Sequence, residues 1–425
     1  MHAGVLVVLA MRNLRRQLRR TLLTASAMVI GGGLLIFSLA FADGSHEQWI
    51  DSGVRLGTGH VTVERPEFRV RRRIDDRLSG EVRRTVEEAF ASPELAPYVV
   101  ATSSKLSING LSSSAAGARP AQIMAVDPVA ESKFGMLDER VVEGRYLEPE
   151  DRLAAFVGAE MVESLELRLG SRLVVQAQDA EGEIAGQLLR VVGIFSSGVP
   201  EVDRTLMHIP LTTAGEWLGS QQDVTNVGVL LNGSAATGRV ADRLERLLAD
   251  PVARGEARVM RWREADPALA AAVAIDDFGN YLVQAFLFTI IAFGIVNTVL
   301  MSVMHRHREF GVLQALGLTP GQTGAVVLIE GFTLTAISGF LGVGLGLLGT
   351  WYFLGDGLDL TAMMENMDEM TFSGVAVDPL IVPLFTARRI VQVLVFILFV
   401  GAMASIYPAL RASRIDVTEA MKFDR

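Results

Sequence analysis

YLVQAFLFTIIAFGIVNTVLMSVMHRHREFGVLQALGLTP, residues 281–320, is the stretch whose reading decides the fold. Its first part, Tyr281 to Met304, has no charged residue. An uninterrupted apolar helix of roughly 20 residues is what about 30 Å of hydrocarbon requires. Charge returns abruptly in His305-Arg306-His307-Arg308-Glu309. Gly317, then Thr319-Pro320, gives a helix stop followed by a helix start. The stretch therefore reads as a membrane helix, a short amphipathic helix and the opening of another membrane helix.

Three further runs have the same character. Thr21 to Ala42 is uncharged, Thr323 to Leu354 holds one acid (Glu330), and Ile390 to Leu410 is again apolar. The chain is 50% hydrophobic with a mean hydropathy of +0.35 despite 20% charged residues, so its apolar content is concentrated in these runs. A net charge of -9 disfavours nucleic acid as a partner. The absence of cysteine excludes disulfides, thiolate metal sites and cysteine nucleophiles.

Orientation follows from the basic residues beside the spans. Arg12, Arg15, Arg16, Arg19 and Arg20 precede the first, Arg306 and Arg308 follow the second, and Arg411, Arg414, Lys422 and Arg425 follow the fourth. Four crossings bring all three clusters to one side, so both termini are expected in the cytoplasm. The loop with Asp356, Asp359, Glu365, Asp368, Glu369 and Asp378 suits the other side, although Arg388 and Arg389 run against that trend. Ala40-Phe41-Ala42 resembles a signal-peptidase site, but the apolar run exceeds the 7–15 residues of a cleaved signal. Val5 to Arg20, with Leu9, Leu14 and Leu18 among arginines, reads as an interfacial amphipathic helix in preference to a merely basic stop signal.

The expected fold class is a membrane α-helical protein of four transmembrane helices with a large inserted α+β extracytoplasmic domain. Its parts are an interfacial helix (1–20), the first span (21–42), the inserted domain (43–277), the second span (278–304), a cytoplasmic segment (305–321), the third span (322–355), an outer loop (356–389), the fourth span (390–410) and a cytoplasmic tail (411–425).

Within the insertion, β-rich runs fall at His60–Glu64, Val99–Ile108, Ala121–Val126, Arg172–Gln178, Leu188–Phe195, Leu206–Leu211 and Asn226–Leu231. Helical segments fall at Gly80–Ala91, Ala159–Leu165, Thr212–Leu218 and Arg239–Leu248. The polar turn Asp179 to Glu183 predicts a hairpin. Gly110 to Gly117, with three serines, reads as a flexible connector between two lobes. Ala265 to Asp277 reads as helix running straight into the second span.

No G-x-x-x-x-G-K-[ST] phosphate loop occurs. The G-x-G-x-x-G at Gly344, Gly346 and Gly349 lies inside a span with no strand before it, which rules out a dinucleotide fold. Gly339, Gly342, Gly346 and Gly349 are read instead as small-residue faces for helix packing, as is Gly31-Gly32-Gly33. His305 and His307 stand beside arginines, where a metal would meet like charge. No nucleophile elbow occurs, and the chain is expected to be non-catalytic. Glu330, an acid within a span, either snorkels or organises the cytoplasmic end of the bundle.

Arg306, Glu309, Gly311, Ala315, Leu316 and Gly317 match the R-x-x-E-[I/F]-G-x-x-x-A-L-G pattern of MacB/FtsX-type ABC permeases, the mechanotransmission class, which this chain resembles. Glu330-Gly331, the Pro408–Met421 tail, and Glu143-Gly144-Arg145, Val157-Gly158, Gly170 and Val192–Phe195 are similar to further parts of that family. The pattern departs at Gln314 and Val417, where basic and proline residues are common. The layout is closest to lipoprotein-releasing (Lol-type) subunits, although the Asp179–Gln187 hairpin is short and lacks proline.

The resemblance implies a permease subunit driven by a cytoplasmic ABC ATPase dimer. That dimer would grip Arg306, Glu309, Phe310, Gly311, Leu313, Ala315, Leu316 and Gly317. ATP and Mg would reside on the ATPase, with no cofactor on this chain. It further implies a second permease copy or paralogue, contact with membrane lipids, and a periplasmic adaptor or lipoprotein carrier. The expected work is lipoprotein or lipid release; the alternative is an FtsX-like regulator of an extracytoplasmic hydrolase or signalling partner, with nothing transported.

Overall fold

The computed structural model describes residues 12, 18–71, 76–179, 182–219, 222–305, 307–359, 371–372, 375–376 and 380–414. The interfacial helix expected over 1–20 therefore lies almost wholly outside the described residues, as do the tail beyond 414 and Arg306. Four helices are long and apolar enough to span a membrane, with apolar portions at Ala25–Leu56, Pro267–Gly294, Pro320–Leu354 and Ala387–Ser413. The chain forms two compact units: His46–Ile275 with Leu360–Pro379, and the remainder.

The first helix, α1 (Leu18–Leu56), passes from one unit into the other. It does not stop at Ala42 as the hydropathy suggests. Ile50 and Val54, one turn apart, keep an apolar face that is buried to its end. The inserted unit continues with β1 (Val61–Glu64), α2 (Phe68–Arg71), α3 (Gly80–Phe90), β2 (Val99–Ser114), β3 (Gly117–Val126), α4 (Pro128–Phe134), β4 (Val141–Gly144), β5 (Ala154–Gly158) and α5 (Ala159–Ser164). Then follow β6 (Arg172–Gln178), β7 (Ile184–Phe195), α6 (Pro200–Thr205), β8 (Leu206–Pro210), α7 (Leu211–Trp217), β9 (Asn226–Leu231), α8 (Thr237–Leu247), α9 (Ala249–Ala253), β10 (Arg258–Arg261) and α10 (Trp262–Ala265).

The strand order is β10-β1-β9-β2-β3-β8-β5-β7-β4, and β6 bonds to both β2 and β7. Those pairings close β2, β3, β8, β5, β7 and β6 into a ring. Alternate residues of its strands (Leu106 and Ile108, Ile123 and Ala125, Ala155 and Val157, Leu173 and Val175) share one core, as period-two side chains must. The expected hairpin is present, with Gln178 opposite Ile184. The expected connector at Gly110–Gly117 is not. Gly110 to Ser113 are strand residues paired with both β3 and β6, and Ser114 pairs with β3. Gly110 is required because a Cβ there would run into the Gln176 carbonyl. Serines that read as a loop are hydrogen-bonded strand positions: Ser113 Oγ donates to the Val174 carbonyl at 3.2 Å.

The ring and the rest of the sheet each have a core of their own, and β2 runs through both. Its first half joins β9, β1 and β10 in an antiparallel arm. One face of that arm is covered by α3 and α8 through Val82, Val86, Phe90, Val240 and Leu244.

Next, α11 (Pro267–His305) begins in the inserted unit and continues into the second, where α12 (His307–Ala315), α13 (Pro320–Leu354) and α14 (Ala387–Ser413) follow. Leu35, Ile36 and Leu39 of α1 pack with Val343 of α13 and Val393 and Ile397 of α14, and Leu287, Phe288 and Ile291 of α11 join them half-buried.

Candidate force-transmission site

The other face of the four-stranded arm receives the two helix ends that lead to the spans. Ile50 and Val54 of α1 cluster with Leu269 and Val273 of α11, with Leu230 of β9, and with Phe134 and Trp262. This explains why β9 is buried at every position. Val227, Val229 and Leu231 face α3 and α8, while Leu230 faces the helix ends. The two ends touch directly, for a Cβ at Gly53 would lie 2.6 Å from Leu269 Cδ1. Gly228 lets the turn after α1 lie on the strand, since a Cβ there would come within 2.4 Å of the Thr58 carbonyl.

Polar groups fix both ends. Lys105 and Glu131, only 2% and 4% exposed, form an ion pair at 2.7 Å. Lys105 Nζ also donates to the Gly57 carbonyl at 3.2 Å and lies 4.4 Å from the centre of the Phe134 ring. Ser103 Oγ donates to the other Glu131 oxygen at 2.6 Å. A cation near the carbonyls that close a helix is favoured by charge and by hydrogen bonding. Nearly three turns earlier, Glu47 accepts 2.6 Å hydrogen bonds from Ser234 N and Oγ. Asp266 caps α11 by accepting from Ala268 N and Leu269 N at 3.1 and 3.0 Å. The Arg69 guanidinium bonds the neighbouring Ala265 carbonyl. Such buried pairs specify geometry more surely than they add stability.

Among the expected site residues, Glu309, Phe310, Gly311, Leu313 and Ala315 lie on α12. Gly311 is buried; Glu309 and Ala315 are exposed. Leu316 follows, 77% exposed, with its N–H on the Val312 carbonyl. Gly317 takes φ +102°, a left-handed value that suits glycine. Thr319 then opens α13 with a reciprocal cap to Gln322 (3.3 Å and 3.0 Å), the arrangement of a capping box. The side chains of Phe310 and Leu313 lie outside the described residues.

Three of the four packing glycines make close approaches. A Cβ at Gly342 would lie 2.7 Å from the Val29 carbonyl, and one at Gly346 the same distance from that of Gly33. Gly339 faces Ile397 at 3.1 Å. At Gly349 nothing among the described residues lies within 4 Å of the Cβ position. Glu330 is half-buried on α13. Arg389, which ran against the charge trend, is paired with Asp43 of α1, Nε to Oδ2 at 2.8 Å.

Burial acts strongly on two neighbouring groups of the inserted domain. It lowers the pKa of His208 to about 3, with Lys105 adding to the effect. Tyr146, whose hydroxyl lies 3.2 Å from His208 Nδ1, is shifted upward by its own burial. Among the described residues no group of three or more His, Asp or Glu is placed to hold a metal. Lys105, Glu131 and Glu47 escape a linear reading because nothing local pairs them. The one available signal is a lone lysine inside the apolar strand pattern of Val99–Ile108.

Four helices long and apolar enough to cross a membrane, with an α+β domain inserted between the first two, define a multi-pass membrane protein. Residues 21–247 match the MacB-like periplasmic core domain and residues 281–417 the FtsX-like permease C-terminal domain. The first match alone takes in more than half of the chain, and the chain belongs to this MacB/FtsX family of ABC transporter permeases. It is 22% identical to the lipoprotein-releasing system transmembrane protein LolC of Xylella fastidiosa, over 72% of this chain and 74% of that one. To LolC of Neisseria meningitidis the figures are 23%, 77% and 78%. To the macrolide export ATP-binding/permease protein MacB of Brucella melitensis they are 26%, 80% and 52%.

Proposed function

We propose that this chain is a non-catalytic permease subunit that carries force from a cytoplasmic ABC ATPase dimer to its extracytoplasmic domain, in a bacterial inner membrane with both termini inside. The observation that carries this reading is the joint at the sheet. Both helices that enter the inserted domain end against one face of β9, and one of them is capped by a buried ion pair. A displacement of either helix is therefore a displacement of the sheet. On the cytoplasmic side the ATPase grips α12 and the Leu316–Gly317 turn. The work done is release of a lipoprotein or lipid from the outer leaflet, supported by the similarity to LolC, and the functional complex holds a second permease copy or paralogue.

The test is reconstitution with the cognate ATPase in proteoliposomes. Glu309→Ala and Gly317→Pro are expected to lower ATP-dependent release at least ten-fold with the melting temperature of the inserted domain unchanged. Proline fixes φ near −65° and cannot adopt the Gly317 conformation. Undiminished release by both variants would count against the reading; coupled ATP hydrolysis with no lipid or lipoprotein moved would favour the regulator.

A further inference from the structure

His60 stands where α1 ends on the sheet, just ahead of β1, and is only 1% exposed. Its backbone is fixed on both sides. The N–H donates to the Val229 carbonyl at 2.9 Å, and the carbonyl accepts from the Trp262 N–H at 3.0 Å. Its side chain reaches the end of β9, where Nδ1 accepts the Leu231 N–H at 3.2 Å. A ring nitrogen accepts only while it carries no proton. This contact therefore requires a neutral imidazole.

The end of β9 and the turn after it are thus held twice. His60 takes the Leu231 N–H, and Glu47 of α1 takes both donors of Ser234. The charged groups that bear on the His60 ring come from α1. Burial lowers its pKa, the Asp51 and Glu47 carboxylates oppose that, and Arg55 adds to it. Arg55 is itself paired with Asp51 at 2.7 Å. Residues 226–236, which form β9 and its turn, carry no charge. Arg261 of β10 and Arg263 of α10 are exposed; the first pairs with Asp242 of α8 and the second lies over the Trp262 ring. At His208 burial and Lys105 act together, whereas at His60 two carboxylates work against burial. His60 accordingly takes its proton at milder acidity.

We infer that proton uptake by His60 unlatches the end of β9 at the α1 joint. The added proton goes to Nδ1, the Leu231 N–H then faces a donor, and that hydrogen bond is lost. The new positive charge also competes with Ser234 for the Glu47 carboxylate. Both holds on residues 231–234 weaken together, while Asp266 keeps its cap on α11. A histidine in an opened segment charges near pH 6.5, and the folded ring charges only below that. The latch is complete above that value and is lost as the pH falls. That this tunes coupling rests on the force-carrying role proposed above, in whose orientation the inserted domain meets the pH of the surroundings.

The experiment is amide hydrogen exchange of the full chain in lipid nanodiscs, without ATPase or nucleotide. It runs from about pH 7.5 to about pH 5, with rates corrected for the intrinsic effect of pH. His60→Gln keeps a neutral acceptor for the Leu231 N–H. Protection of residues 229–234 is expected to fall about three-fold or more further in the wild type than in this variant. Glu47→Gln removes one opposing carboxylate and is expected to move the wild-type midpoint to lower pH. A wild-type profile that does not change with pH, or an equal fall in His60→Gln, would overturn the inference. If His60→Gln has already lost protection in β6 at about pH 7.5, its fold is damaged and Glu47→Gln decides alone; an unmoved midpoint then overturns it. Because no ATP is present, such a failure leaves the transport reading untouched, and failure of coupling leaves this titration untouched.

Discussion

The inserted domain and the helical bundle hold together by different means. In the domain, large side chains fill the space between elements. Phe156 sits between Phe195 and Tyr146, each ring centre 5.0 Å away, and two further cores are lined by valine, leucine and isoleucine. In the bundle, two helices approach closely through residues with almost no side chain: Gly32 and Gly33 against Gly342 and Gly346. The difference teaches which solvent each part was built for. Water drives large apolar groups together. Lipid does not, so helices there associate by close backbone approach and by a few polar contacts.

The largest effect that bears on this contrast is expected from Phe156→Ala. Its side chain is fully buried, and truncation is expected to cost about 3–5 kcal/mol, read as a lowered denaturant midpoint of the inserted domain. If the bundle obeyed the same rule, enlarging its small residues would help it. The expectation is the reverse. Gly346→Leu is expected to drive α1 and α13 apart, costing about 1–3 kcal/mol as overpacking does. Gly349→Leu, where space is open, is expected to be neutral. Cross-linking between cysteines introduced on α1 and α13 reads both, and equal losses from the two variants would erase the distinction between faces of α13.

A third effect lies in acid. His208 is held neutral down to about pH 3 by burial, with Lys105 contributing, and its hydrogen-bond partner is Tyr146. An unfolded histidine takes a proton near pH 6.5. Between those values the unfolded chain binds the extra proton, so stability falls as pH falls, at about 1.4 kcal/mol per pH unit at most for this one group. His208→Gln is expected to flatten the inserted domain's melting temperature between about pH 6 and pH 4; an unchanged slope would assign acid sensitivity elsewhere. The smallest effect is expected from Arg389→Ala. The pair with Asp43 is about one-third exposed on the arginine side, and partly solvated pairs of this kind contribute about 0–1 kcal/mol. A small fall in the thermal midpoint of the bundle in detergent, reduced further at high salt, is the expected reading.

Much of this architecture is legible in the sequence, and for one reason. The spans declare themselves by length, which needs no tertiary information, and the hairpin at Gln178–Ile184 declares itself by a polar turn between alternating strands. What escapes is set by distant partners. Ser112 and Ser113 look like a linker because they pair with a strand far along the chain. Asn226–Leu231 is buried on both faces because α1 and α11 end on one of them. Arg389 looks misplaced until Asp43, in another helix, is set beside it. At the candidate site, Gly317 and Thr319-Pro320 are local punctuation and are read directly, whereas Lys105 and Glu131 meet only through the fold.

The cap on α1 has a mechanical corollary. Lys105 and Glu131 are themselves buried, whereas the Gly57 carbonyl that Lys105 also holds is half-buried and borders a cavity in the inserted domain. Water can therefore take over the contact to Gly57 before the inner ion pair is disturbed. Under a rising pull the helix end slips first and the buried pair parts last, so the joint yields in two steps.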